Sequence, residues 1–110
     1  MVLEDRIVEY IQQLDDVREE EQRNKDDKEL RVFYLGERIV LVVEKGTNPL
    51  RIELRCDYRL SKTLQAQYES VMESRALGRN GIEIICSGQL SDDEVIDLVR
   101  HSYEQSKIAE

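Results

Sequence analysis

Residues 50–57 read Leu-Arg-Ile-Glu-Leu-Arg-Cys-Asp, and their alternation decides the fold. In an extended strand Leu50, Ile52, Leu54 and Cys56 fall on one side, while Arg51, Glu53 and Arg55 fall on the other. A strand that buries one face and wets the other belongs to an antiparallel sheet covered on one side only. That is the arrangement of a two-layer α+β domain.

Working back from this strand, Gly46, Thr47, Asn48 and Pro49 form a turn. Before it, two apolar runs, Val32 to Leu35 and Ile39 to Val43, flank Gly36 as a hairpin. From Arg18 to Glu29 apolar residues all but vanish, and Glu19, Glu20, Glu21, Asp26 and Asp27 predict a frayed helix end followed by a solvated charged loop. At the start of the chain Leu3, Ile7, Tyr10, Ile11, Leu14 and Val17 recur at steps of three and four, the stripe of a helix that packs by one side.

Working forward, Asp57 is placed to cap a second helix with Leu60, Leu64, Tyr68 and Val71 as its stripe. A short strand around Ser74 to Leu77 is expected to meet Ile82 to Cys86 across a turn at Gly78 to Gly81. The last helix has the clearest start: Ser91 and Glu94 fit a capping box, Leu90 and Val95 a hydrophobic staple, and Val95, Leu98, Val99 and Ser102 would face the core. The predicted order is α-β-β-β-α-β-β-α, helices on a five-stranded antiparallel sheet, with no repeat and no dividing linker. A chain of 110 residues, 40% hydrophobic and 36% charged, is then one domain spanning residues 1–110.

No apolar run is long enough to cross a bilayer, and Glu4, Asp5, Arg6 and Glu9 interrupt the first turns, so neither a membrane span nor an export signal is read. With only Cys56 and Cys86, each in an apolar strand pattern, the expected thiols are buried and unpaired and the expected location is cytoplasmic. The net charge of −8 is uneven. Residues 1–30, 31–90 and 91–110 carry −6, +2 and −4. An acidic surface repels phosphate backbones at long range, so only the middle segment is suited to nucleic acid.

Catalytic patterns are missing. The single histidine, His101, precedes Ser102 on a helix, where adjacent residues point in different directions and cannot form a nucleophile–base pair. One histidine and two distant cysteines fall short of a zinc set. The acidic pairs sit in polar surroundings, without the burial that would raise a carboxyl pKa. The loop Gly78 to Gly81 lacks the lysine and hydroxyl residue of a phosphate loop. No catalytic residue, metal or cofactor is therefore assigned. What remains is a basic middle: Arg31, Arg51, Arg55, Arg59, Lys62, Arg75 and Arg79. Arg51 and Arg55 share the wet strand face and Arg75 and Arg79 the second hairpin, and these four are the candidate nucleic-acid contacts.

Three stretches also carry a resemblance: Arg55-Cys56-Asp57 at a strand end, Gly88-Gln89-Leu90-Ser91-Asp92 before the last helix, and His101-Ser102-Tyr103 within it. In these the chain resembles the MmcQ/YjbR family of small bacterial proteins over roughly residues 30–106. The resemblance implies a YjbR-like fold with a double-wing outline, and a DNA-binding label that rests on that outline. The chain departs from the family's polar motif before the last strand, where Ser74, Arg75, Ala76, Leu77, Gly78, Arg79, Asn80, Gly81 and Ile82 stand. Its histidines and tryptophan are absent, and only Arg79 keeps the charge of the family's lysine. The expected function is a noncatalytic binding module. Its partner is either DNA, held weakly, or a protein, with self-association among the alternatives and no membrane involved.

Overall fold

A computed structural model of the chain describes residues 2–108. Three helices and six strands follow in the order α1 (Leu3–Gln12), β1 (Val17–Arg23), β2 (Glu29–Leu35), β3 (Arg38–Glu44), β4 (Leu50–Arg55), α2 (Tyr58–Gln67), β5 (Val71–Ser74), β6 (Gly78–Cys86) and α3 (Asp92–Ile108). The strands form one antiparallel sheet in the order β1-β2-β3-β4-β6-β5. The architecture is the expected two-layer α+β, with six strands in place of five.

The additional strand is β1, in the stretch expected to be a frayed helix end and a charged loop. Helix α1 ends at Gln12, Asp16 takes a positive φ of 65°, and the chain then turns back along β2. Apart from Val17, every residue of β1 is exposed. An edge strand needs no apolar alternation when its main chain pairs on one side and its side chains pair across the strand. Glu19 receives two hydrogen bonds from Arg31, at 2.6 and 3.0 Å, which hold its carboxyl below the usual range and the Arg31 guanidinium above it. Arg18 lies over the Tyr34 ring at 4.4 Å, and Gln22 donates to the Tyr34 hydroxyl at 2.7 Å. The outer edge is lined with charge, which discourages pairing with another sheet.

Two smaller corrections concern the second hairpin. Helix α2 stops at Gln67, because Tyr68 is already extended, so Tyr68 and Val71 reach the core from outside the helix. The short strand is Val71–Ser74 and not Ser74 to Leu77, and the turn precedes Gly78. Gly81 lies within β6, where a Cβ would stand 2.7 Å from the Leu54 carbonyl oxygen and from the Leu77 Cβ, so the close approach of β4 and the turn requires glycine.

The core lies between the sheet and the helices. Leu41, Val43, Ile52, Leu54, Ile82 and Ile84 project from the central strands toward Ile7, Ile11, Leu64, Val95 and Val99, all buried. The predicted caps are present. Asp57 accepts from the Arg59 and Leu60 amides, and Ser91 and Glu94 exchange hydrogen bonds at 3.1 and 2.9 Å.

Helix α3 does more than cover the sheet. Phe33 pairs with Leu41 and Tyr34 with Ile39, so Val40 is a bulge that turns into the core and breaks the ladder. The pairing of β3 with β4 runs from Leu41↔Leu54 to Glu44↔Arg51 and goes no further. At the missing rung the Ser102 hydroxyl donates to the Val40 carbonyl at 2.5 Å and accepts from the Arg55 amide at 2.8 Å. Its neighbours hold two more segments. His101 Nε2 accepts from the Asp57 amide at 3.2 Å, and the Tyr103 hydroxyl donates to the Asp15 carbonyl at 2.9 Å, fixing the entry to β1.

Ser102→Ala leaves a buried carbonyl and a part-buried amide without partners, and should lower the unfolding free energy by about 2 to 3 kcal/mol. Ser106→Ala, which loses only a hydroxyl bonded to its own helix, should cost about 1 kcal/mol or less. Urea melts of equal stability for the native chain and Ser102→Ala would contradict the assignment. His101 must be neutral at Nε2 to accept from Asp57. Burial holds its pKa below 6.5, against the opposing charge of Asp57. A depressed histidine stabilises fully above its unfolded pKa, and the contribution is lost as pH falls through the folded value. The native chain should therefore lose more stability between pH 7.5 and 5.5 than His101→Gln; parallel pH profiles would refute this.

Candidate functional site

The second face of the sheet carries the polar residues of β4, and the four arginines expected to act together are separated here. Arg51 and Glu53 of β4 sit beside Glu83 of β6, which stands directly across from Glu53. Glu83 is 2% exposed, and its two oxygens receive Arg51 at 3.4 Å and Arg75 at 3.2 Å. One buried carboxylate thus ties two of the four guanidiniums. Glu83 raises the pKa of Arg75, with Glu53 and Glu44 adding to the effect.

Arg55 shares the strand face with Arg51 but folds away, its Nε donating to the Ile39 carbonyl at 3.2 Å. Burial lowers its pKa, and the nearby charge of Arg38 lowers it further. Arg79 lies elsewhere, with its guanidinium 4.5 Å from the centre of the Tyr58 ring at the start of α2. Lys62 approaches the same ring at 5.4 Å, and Tyr58 is 42% exposed. Among the described residues no carboxylate forms an ion pair with Arg59, Lys62 or Arg79. The structure therefore brings Arg51 and Arg75 together around an acid and leaves Arg55 and Arg79 apart. No contiguous basic stripe joins the four.

Between the turn that follows β1 and the turn that follows β5 the second face holds a groove of about 290 Å³. Leu30, Val32, Ile39 and Val42 form its apolar floor. Val32 and Val42 are buried yet lie outside the main core, since they point away from the helices. Glu44, Arg51, Glu53 and Arg75 stand along one wall. Glu53 Oε1 accepts from the Ser74 hydroxyl at 2.7 Å and from the Ala76 amide at 3.0 Å, which locks the β5–β6 turn against the groove.

Sequence reasoning assigned no site role to Glu44 or Glu83. The available signal for Glu83 was an acid set between Ile82 and Ile84 in an apolar strand, a position that requires a buried partner if the strand is central. The chemistry of the remaining groups is muted. Cys56 and Cys86 are free, and burial pushes their thiols up to about 12 and about 11, with Asp57 and Asp92 respectively reinforcing it. Both are protonated at neutral pH and are poor nucleophiles. Among the described residues no group of three or more His, Cys, Asp or Glu side chains is arranged to hold a metal ion, and no helix is long and apolar enough to cross a membrane.

The stretches that carry the family resemblance have structural roles. Asp57 caps α2, Gln89 Oε1 accepts from the Ser70 amide at 2.9 Å, Ser91 caps α3, and His101-Ser102-Tyr103 holds main-chain groups of Asp15, Val40, Arg55 and Asp57.

No protein-family model matches the chain, and no curated protein matches it. Among solved structures it is similar to the crystal structure of Deinococcus radiodurans protein DR2400, which contains a DUF419 domain. The two share 22% sequence identity over 96% of this chain and 78% of that one, with a TM-score of 0.79. Similarity at that level of identity shows a common fold: helices on one side of a single antiparallel sheet.

Proposed function

We propose that this domain is a noncatalytic binding module of the MmcQ/YjbR type, and that it takes a protein segment on the open face of its sheet. The family assignment is supported by the three matching stretches and by the DUF419 neighbour, a domain type related to MmcQ/YjbR. The choice of a protein partner rests on one observation: Arg51 and Arg75, the cations best placed on the open face, are both committed to buried Glu83. Together with Glu44 and Glu53, Glu83 sets three carboxylates against these two guanidiniums, so the cluster has no positive charge to offer a phosphate, and the net charge of −8 opposes a polyanion further. The groove beside this cluster supplies the apolar surface that a protein segment uses.

DNA binding is the second reading, favoured by the cations around exposed Tyr58. Arg79, Lys62 and Arg59 could meet phosphates while the ring stacks on a base. A few phosphate contacts release few counterions, so the affinity at physiological salt should be no better than about 100 μM, with a shallow salt slope. Titration of a labelled duplex at low and physiological salt, with the native chain and with Arg75→Glu combined with Arg79→Glu, measures this. Binding no tighter than that limit, and reduced by the double change, is the expected result. Sequence-selective binding that survives physiological salt would overturn the preference for a protein partner.

A further inference from the structure

Within the reading of the domain as a protein-binding module, the groove itself specifies its partner. Its lining carries four carboxylates, Asp26, Glu44, Glu53 and Glu83, against three cations, Lys25, Arg51 and Arg75. Glu83 holds both arginines, and Asp26 and Lys25 lie on the opposite rim. Glu44 is left half-buried on the wall, and among the described residues no basic side chain forms an ion pair with it. Glu53 likewise has no ion-pair partner among the described residues, although one oxygen is hydrogen-bonded to the β5–β6 turn. The wall therefore sets three carboxylates against two guanidiniums, with Glu44 and Glu53 outside any ion pair among the described residues, beside an apolar floor made by Leu30, Val32, Ile39 and Val42.

We infer that the groove binds an extended, basic segment of another protein, with apolar side chains on this floor and a lysine or arginine against Glu44 and Glu53. Charge complementarity selects the sign. A half-buried carboxylate loses part of its hydration on binding, and a cation recovers that loss where an acid or a neutral side chain does not. The shape selects an extended segment. The lining of the groove runs from the β1–β2 turn to the β5–β6 turn, and a strand laid along it offers alternate side chains to floor and wall. A volume of about 290 Å³ accommodates a few side chains, at the lower limit for enclosing a whole small molecule. A second copy of this chain is disfavoured as occupant because the exposed β1 segment carries Glu19, Glu20 and Glu21.

The test uses the isotopically labelled full chain and three blocked hexapeptides that alternate valine with lysine, with glutamate or with serine. Amide shifts should move at Val32, Val42, Glu44 and Ala76 with the lysine peptide and not with the other two. Glu44→Gln should weaken the lysine peptide about fivefold, the magnitude of one partly exposed ion pair. Glu44→Lys, whose fold is checked by its unperturbed core shifts, should weaken the lysine peptide further and gain affinity for the glutamate peptide. Equal binding of all three peptides, or no effect of either Glu44 substitution, would overturn the charge assignment. Lysine-peptide shifts confined to the outer edge of β1 would overturn the groove and leave the protein-binding reading standing. No shift anywhere at millimolar peptide would refute both. Hexylamine binding in the groove as tightly as the lysine peptide would refute the peptide assignment in favour of a small organic cation.

Discussion

A single hydroxyl stands where the central sheet lacks a rung. The Val40 bulge turns one carbonyl out of the β2–β3–β4 ladder and leaves the Arg55 amide without a strand partner, and Ser102 answers both. Buried main-chain groups left unpaired cost as much as a lost hydrogen bond each, so the bulge is tolerable only with α3 in place. The bulge in turn sends Val40 and Leu41 to the helix side together and places Ile39 on the other face. Both the core and the floor of the groove therefore depend on this contact. His101 and Tyr103 extend the dependence to the start of α2 and to the loop before β1.

This arrangement divides the molecule into a supporting side and a working side. The helix-covered layer contains the groups whose identity is fixed by geometry: the clamp of α3, the caps of α2 and α3, and the Gln89 contact to Ser70. The open layer contains the groups that packing alone does not explain. A buried Glu83 with two arginines costs desolvation that a hydrophobic trio would avoid, and such clusters define where a surface is polar and where it is rigid. With Arg51 and Arg75 held by Glu83, and with Glu53 holding the adjoining turn, the wall of the groove is preorganised, and its three carboxylates outnumber its two guanidiniums.

The fold was legible wherever burial imposed a period. Alternation in β4, the capping box at Ser91 and the stripe of α1 from Leu3 to Ile11 were placed correctly, whereas Leu14 and Val17, expected on the same stripe, lie beyond the helix, Val17 as the first residue of β1. β1 was illegible because it buries nothing. Its stability comes from main-chain pairing and from partners such as Arg31 and Tyr34 that are distant in sequence. The start of β5 was misplaced because Val71 continues the helical spacing of Leu60 and Leu64 even though Tyr68 has already left the helix. The arginines were identified, but their grouping was not. Residues that alternate on a strand share a face, yet which carboxylate reaches them depends on the register between β4 and β6.

Amide hydrogen exchange tests the central claim most directly, because it reads the missing rung itself. In the native chain the Arg55 amide should be as well protected as the Val43 and Ile52 amides of the intact ladder. In Ser102→Ala, Arg55 should lose about tenfold or more in protection beyond any loss shared with Val43 and Ile52, since its only acceptor is gone. An Arg55 amide that keeps its protection relative to those neighbours would mean that the strands close without the hydroxyl, and would contradict the account.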